Sequence, residues 1–371
     1  MRLSMKNEKT KEMRVKPFSV REIVIPTSFT EVGQAEQVTV NLAGCENCAT
    51  SQYALNALAN PSPNLLIDHW QSQDKTLRNK LGELHDVNPE QIFLTSGALA
   101  GIGYTFDVFV DQGTKVGLLR PDFPGFVHFA EKKRVDIKRL ENTQFPFGIS
   151  NSEIIKFARE NELGFTILSN PNAITGTLRR KEEITDLLES NPETLFVIDE
   201  ADSIYPHLEA SNLSRKYNNG LFLGSFSKFY GLSGLRVGYL ITPEEYIPHF
   251  KRTISPVELT SMAIVAATAS FDDKNYQAET QRRVEKNLST LEQACNGTNY
   301  QLVPGSKCFA TYLWADDGVE DPAKTLRNYG IEIAKGYGEF NKIGSGGRVN
   351  LSDGNKIGKL VEAIENIHKR R

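Results

Sequence analysis

The sequence predicts an α/β fold: a mostly parallel sheet sandwiched by helices, plus a smaller α+β C-terminal domain. Two observations carry that expectation. From about residue 75 to 240, helical patterns alternate with short, continuously apolar runs. After residue 245 the alternation stops and a long helical region takes over. Alternation of the first kind is the mark of βαβ units, whose strands are buried on both faces. A chain of 371 residues also exceeds what one core usually supports.

Taken in order, KTLRNKLGELHDV has helical spacing and leads into QIFLTSG, a strand ending in a glycine turn. KVGLLRP, RVDIKRL, GFTILSNP, TLFVIDEAD, LFLGSFS and RVGYLITP read as further buried strands. SEIIKFARENE and RKEEITDLLES supply helices between them. A helical region over about 255–298 then precedes strand-like QLVP, CFATYLWA and GRVNLS, and the final helix GNKIGKLVEAIENIHKRR. The expected organisation is an amino-terminal arm over residues 1–40, a large domain over 41–245 and a small domain over 246–371.

Composition narrows the function classes. With 39% hydrophobic and 24% charged residues the chain is ordinary globular protein. A net charge of −3 without a basic block gives nucleic acid or an anionic membrane no electrostatic footprint. No apolar run approaches the roughly 20 residues needed to span a bilayer. The charged start MRLSMKNEKTKEMRVKP lacks an apolar signal region, so a cytoplasmic protein is expected. Cys45 and Cys48 form a CxxC. No second pair completes a zinc site, so thiols in a reducing compartment and no metal are expected.

The chemistry concentrates in SFSKFYGLSGLRVGY, Ser225 to Tyr239. A lysine at the end of a buried strand is desolvated, which favours its neutral amine. A neutral amine is what condensation with an aldehyde requires. Ser225, Ser227 and Arg236 supply donors for a phosphate dianion beside Lys228. Upstream, FVIDEADSIYP ends an apolar strand on the acidic Asp199, a costly arrangement without a partner. TSGALAGIGYTF joins a strand to a helix through glycine, and a helix amino terminus binds phosphate through its exposed amides.

The fifteen-residue lysine string resembles the cofactor-lysine motif of fold-type I, class I/II aminotransferases, which depend on pyridoxal 5′-phosphate. The likeness is to the branch of histidinol-phosphate aminotransferase and threonine-phosphate decarboxylase, and its motifs run from about residue 40 to 352 in the family's order. The resemblance implies a Schiff base on Lys228 and a phosphate held by Ser225, Arg236 and the cup Gly97, Ala98 and Leu99. It implies that Asp199 pairs with the ring nitrogen and that Phe123, in LRPDFPGF, stacks on the ring. Arg348, in GGRVNLSDG, would grip the substrate carboxylate, a task suited to a planar guanidinium; a surface pair with Asp353 is the bland alternative. A homodimer with shared active sites is also implied.

Several positions depart from the pattern. The family's NPNNPTG loop reads Asn170 to Gly176 here, with Ala173 where an asparagine normally donates to the cofactor's phenolic oxygen. Asn172, one residue earlier, and Asp202, which replaces a usual tyrosine, are the residues left to serve that side. Fewer donors to an anion mean that the Schiff base should hold its proton more tightly. The NENP-like loop reads Cys45 to Cys48, and the tyrosine that reaches across the dimer to phosphate is replaced by His69 or Trp70. An arginine common in histidinol-phosphate enzymes falls near Ala334 and Lys335, against a phosphorylated substrate.

These readings converge on transfer of an amino group from an amino acid to a 2-oxo acid. A decarboxylase, or an eliminating or cyclising lyase on a hydroxylated amino acid such as a hydroxyarginine, stays open as the alternative. The motifs do not specify the substrate side chain.

Overall fold

The computed structural model describes residues 38–44, 46–67, 72–206, 210–315, 321–334 and 345–369. The strands are β1 (Val40–Asn41), β2 (Ile92–Ser96), β3 (Lys115–Arg120), β4 (Asp136–Glu141), β5 (Phe165–Ser169) and β6 (Leu195–Asp199). They continue as β7 (Gly220–Ser225), β8 (Val237–Ile241), β9 (Tyr300–Leu302), β10 (Ala310–Ala315), β11 (Ile331–Glu332) and β12 (Gly346–Asn350). The first helices are α1 (Gln52–Ala59), α2 (Asn64–Ile67), α3 (Ser72–His85), α4 (Gly97–Phe109), α5 (Gly125–Lys133), α6 (Asn151–Glu160) and α7 (Lys181–Ser190). The carboxyl-terminal set is α8 (Ile247–Thr253), α9 (Ser261–Asp272), α10 (Lys274–Cys295), α11 (Pro322–Arg327) and α12 (Gly354–Lys369).

All seven expected strands between residues 92 and 241 join one sheet, ordered β2-β8-β7-β6-β5-β3-β4, but β4, expected to be buried, is its edge strand and has no buried residue. Its pairings are parallel except around β8, which runs against both β7 and β2. The sheet separates two apolar clusters. Ile102 and Phe106 of α4, Phe126 of α5 and Phe250 of α8 pack with Leu195 and Val197 on one face. Leu77 and Leu81 of α3, Ile154 of α6 and Leu187 of α7 pack with Phe196 and Ile198 on the other. Alternate residues of β6 thus serve opposite cores, as strand geometry requires. The next two residues, Asp199 and Glu200, inherit that division.

The expected smaller strands form a second, antiparallel sheet, β12-β10-β9. Two features went beyond the sequence reading. The helical region after residue 255 is not continuous. It breaks at Asp273, whose Oδ1 accepts from Tyr276 N at 3.1 Å to cap α10, while Oδ2 accepts from Ser51 at 2.7 Å. The two-residue strand β1 pairs in parallel with β11 near the carboxyl end, a contact too short to signal itself in sequence. No helix among the described residues is long and apolar enough to cross a membrane.

Candidate active site

Lys228 sits in the turn leaving β7, half-buried between residues that are almost wholly buried: Phe226, Phe229 and Tyr230 are 0%, 4% and 2% exposed. Phe226 stacks on Tyr230 at 4.5 Å. Phe226 N also donates to Val237 O at 2.9 Å, pinning the turn to β8. The backbone carbonyl of Lys228 accepts from Asn47 Nδ2 at 3.1 Å. Asn47 in turn bonds Tyr276 (2.9 Å) and Arg283 (2.8 Å) of α10. The amino-terminal segment therefore clasps the lysine turn to the carboxyl-terminal helices, a role the sequence reading missed because its partners lie 181 to 236 residues away.

Asp199 ends β6 and is 6% exposed. Burial is the main cause that pushes its carboxyl up to about 7. The nearby charges of Asp202 and Asp122 push the same way, while the Ala201 N–H, donating at 3.0 Å, and the Lys228 ammonium pull it down. A second buried acid, Asp122, lies in the loop after β3 and is pushed up to about 6, again chiefly by burial. It accepts from Phe123 N (2.7 Å), Ser169 N (3.1 Å) and the Ser169 hydroxyl, and so ties the ends of β3 and β5 together.

The phosphate side is built from close backbone approach. Gly97 opens α4 with φ +75°, and a Cβ there would stand 2.5 Å from Arg236 Nη2. A Cβ on Gly238 would stand 2.5 Å from Ala98 N. Ser96, at the cap of α4, makes no side-chain cap bond to the first-turn amides. Ser225 Oγ accepts from Ser227 N at 3.0 Å, and Arg236 Nη1 donates to Ser233 O at 3.1 Å and to Ser227 Oγ at 3.4 Å. An uncapped helix start, an arginine and two hydroxyls around a space kept clear by glycine fit a phosphate dianion. Together with a buried acid in want of a cation, this set fits pyridoxal phosphate.

Phe123, half-buried, stands edge-on to Phe126 at 5.4 Å, with Gly125 leaving room for its ring. Arg348 lies on β12 at 3% exposure. Its Nη1 donates to Ala173 O at 2.9 Å, so it reaches back to the loop after β5. It does not play the bland part: Asp353 Oδ1 instead accepts from the amides of Asn355 and Lys356 at the start of α12. Asn172 spends its amide on the loop, donating to Pro121 O at 2.9 Å and accepting from Ile174 N, Thr175 N and Thr175 Oγ1. Asp202, half-buried, is near enough to Asp199 for its charge to be felt there. His69, Trp70, Cys45 and Lys335 lie outside the described residues.

The arrangement, a lysine turn and an acid at the ends of parallel strands beside a helix-start phosphate cradle, defines the class of pyridoxal-phosphate enzymes of fold type I. The family model for aminotransferase class I and II matches residues 67–364, and the chain belongs to that family. It is a pyridoxal-phosphate-dependent aminotransferase. Histidinol-phosphate aminotransferase 2 of Legionella pneumophila (strain Lens) is 28% identical over 320 residues, covering 81% of this chain and 82% of that one. The crystal structure of histidinol-phosphate aminotransferase from Sinorhizobium meliloti in complex with pyridoxal-5′-phosphate superposes with TM-score 0.75 at 17% identity, over 89% and 92% of the two chains. The L-threonine-O-3-phosphate decarboxylase of Porphyromonas gingivalis gives TM-score 0.71 at 20% identity, over 89% and 99%.

The buried acids predict how stability varies with pH. Asp122, Asp199 and Glu200 all hold their protons more tightly when folded, rising from 3.8, 3.8 and 4.5 to about 6, 7 and 8. Between about pH 4 and 8 the unfolded chain therefore binds fewer protons than the native one, and stability falls as pH rises. Cofactor-free protein is expected to melt several degrees lower at pH 8 than at pH 5.5; equal melting temperatures would contradict these assignments.

Proposed function

We propose that Lys228 carries the cofactor, that Asp199 faces its ring nitrogen, and that Arg348 holds the carboxylate of an amino-acid substrate. The observation that carries this reading is that Lys228, in the turn leaving β7, bears on Asp199 at the end of the adjacent strand β6, with the Gly97–Arg236 cradle beside them. Pyridoxal phosphate supplies an electron sink for the substrate's α-carbon. The chain's own groups do the rest. The first amides of α4 (Gly97, Ala98, Leu99) with Ser225, Ser227 and Arg236 hold the phosphate, and Phe123 covers one ring face. Asp199 keeps the ring nitrogen protonated, and Lys228 moves the proton at the α-carbon as base and then acid. Asn172 and Asp202 serve the phenolic side, Asn172 by shaping the loop and Asp202 by its charge.

The aromatic pair Phe145 and Trp314, stacked at 4.5 Å, joins the loop before α6 to β10. It shares a small apolar cluster with Ile174 and with Tyr312, the strand partner of Arg348. An amino acid anchored at Arg348 would meet apolar surface nearby.

The division into an arm, a large domain and a small domain at residues 40 and 245 belongs to the same reading. So does a homodimer. Tyr53, Leu55, Leu66, Ile67 and Val257 are 44–79% exposed, on α1, α2 and the turn before α9, elements that pack together. Large exposed apolar side chains on neighbouring elements suit a second copy of the chain. Light scattering that returned only monomer would remove this part. A cytoplasmic setting accords with the thiols of Cys48 and Cys295.

The function is tested by incubating holoenzyme with a panel of amino acids, with and without 2-oxoglutarate, and weighing the products. Amine transfer that requires the 2-oxo acid supports the proposal; carbon dioxide, ammonia or a cyclised product without an acceptor overturns it. For Arg348→Lys, loss of bidentate geometry should remove about 1.5–3 kcal/mol of charge-assisted hydrogen bonding. The expected result is a KM for the amino donor about 10- to 100-fold higher, with kcat changed much less. An unchanged KM would free Arg348 from the carboxylate role.

A further inference from the structure

On the face of the sheet opposite Asp199 lies a cavity of about 20 Å³, lined among others by Glu200, Ser203, Tyr205, Ser225, Tyr230 and Tyr239. That is room for one water molecule. Two deeply buried polar atoms, Glu200 Oε1 and the Tyr230 hydroxyl, have no hydrogen-bond partner among the described residues. Their residues are 8% and 2% exposed. Leaving such groups unsatisfied is costly, so two of them around a water-sized space point to a water bound between them.

The strand pattern explains the placement. Phe196 and Ile198 face one core, Leu195 and Val197 the other, and Glu200 N still donates to Leu223 O at 2.9 Å. Pairing with β7 thus continues past Asp199, and its neighbour must point to the opposite side. Gly224 lies opposite Tyr239 across β7 and β8, and any side chain there would strike the tyrosine ring. The Tyr239 hydroxyl meets His85 Nε2 at 2.9 Å, and His85 Nδ1 meets Ser211 at 2.7 Å.

We propose that Glu200 is a positioning residue for Asp199: it shares one water with Tyr230 in this cavity and leaves Asp199 the charged member of the pair. This rests on the role of Asp199 given above. Around Glu200 stand its chain neighbour Asp199, then Tyr205, Tyr230 and Tyr239, the last bonded to His85, while Asp202 bears on Asp199. Lys228 opposes the charge of Asp199 from β7's end. Burial, with the charge of Asp199 added, pushes Glu200 up to about 8. An anionic Glu200 beside Asp199 would favour a proton resting on Asp199. The ring would lose its positive charge, and with it part of its capacity as an electron sink.

Infrared spectroscopy of cofactor-free protein tests the cavity without the cofactor. Wild type should show a protonated-carboxyl band that outlasts those of Asp122 and Asp199, remaining above about pH 7 and fading above about pH 8, and Glu200→Gln should lack that band. Tyr230→Phe keeps the ring and should shift the band, an arm that survives if the first variant does not fold. In holoenzyme, kcat/KM of wild type should fall along an alkaline limb that Glu200→Gln moves upward by roughly one pH unit or more, as removal of one coupled charge does. A band that persists in Glu200→Gln, or ignores Tyr230→Phe, overturns the cavity assignment. A band that disappears with an unmoved alkaline limb overturns the positioning role while leaving the cofactor reading intact.

Discussion

Lys228→Ala is expected to leave no cofactor adduct reducible by borohydride and to lower turnover by at least about 10³-fold. Two losses combine in that figure. The variant removes the only amine the proposal places at the cofactor, and it removes the group that shuttles the proton at the α-carbon, by itself worth about 10²- to 10⁴-fold. Folding should survive. Lys228 is half-buried in a turn held by backbone bonds of its neighbours, Phe226 N to Val237 O and Leu232 N to Phe226 O, and none of these uses the lysine side chain. Mass analysis after reduction decides the point: a cofactor increment on the peptide spanning residue 228 in wild type, and none in the variant. A variant that keeps a reducible adduct elsewhere would end the assignment.

Asp199→Asn should cost about as much by a different route. Breaking a buried ion pair by removing one partner typically costs about 3–5 kcal/mol, which is about 10²- to 10⁴-fold in rate if that pair acts in the transition state. The variant should still carry its cofactor on Lys228, since the cradle at Gly97, Ser225 and Arg236 is untouched. Its stability should move the other way. Asp199 holds its proton up to about 7 when folded, so the wild-type carboxylate burdens the cofactor-free fold above that pH. The neutral amide does not. Cofactor-free Asp199→Asn should therefore lose less stability than wild type between pH 5.5 and 8. Parallel melting curves for the two proteins would show that Asp199 does not carry the buried charge assigned to it.

Much of this was legible because it is local. Most strands of the large sheet announced themselves as short apolar runs, whose burial leaves them little choice; β4, at the sheet edge, mixes charged and apolar residues and has none buried. The lysine string, the aspartate at the end of β6 and the glycine opening α4 are each compact enough to read from consecutive residues. The bend between α9 and α10 was not read, although its signal was present: Asp273 stands where a cap would stand. Asn172 was legible as a displaced donor but not as a residue already spent on its own loop, because Pro121 O lies 51 residues away.

Sequence by itself determined the order of strands along the chain, the turn that carries Lys228 and the family, since these depend on periodicity and on motifs of a few adjacent residues. Tertiary structure alone decided which distant residues meet. It set Asn47 against the carbonyl of Lys228, Asp122 across the ends of β3 and β5, Arg348 on Ala173, and Glu200 with Tyr230 around one small cavity. The physical reason is that packing and buried hydrogen bonds join residues far apart in sequence, whereas local pattern records only which side of an element a residue faces.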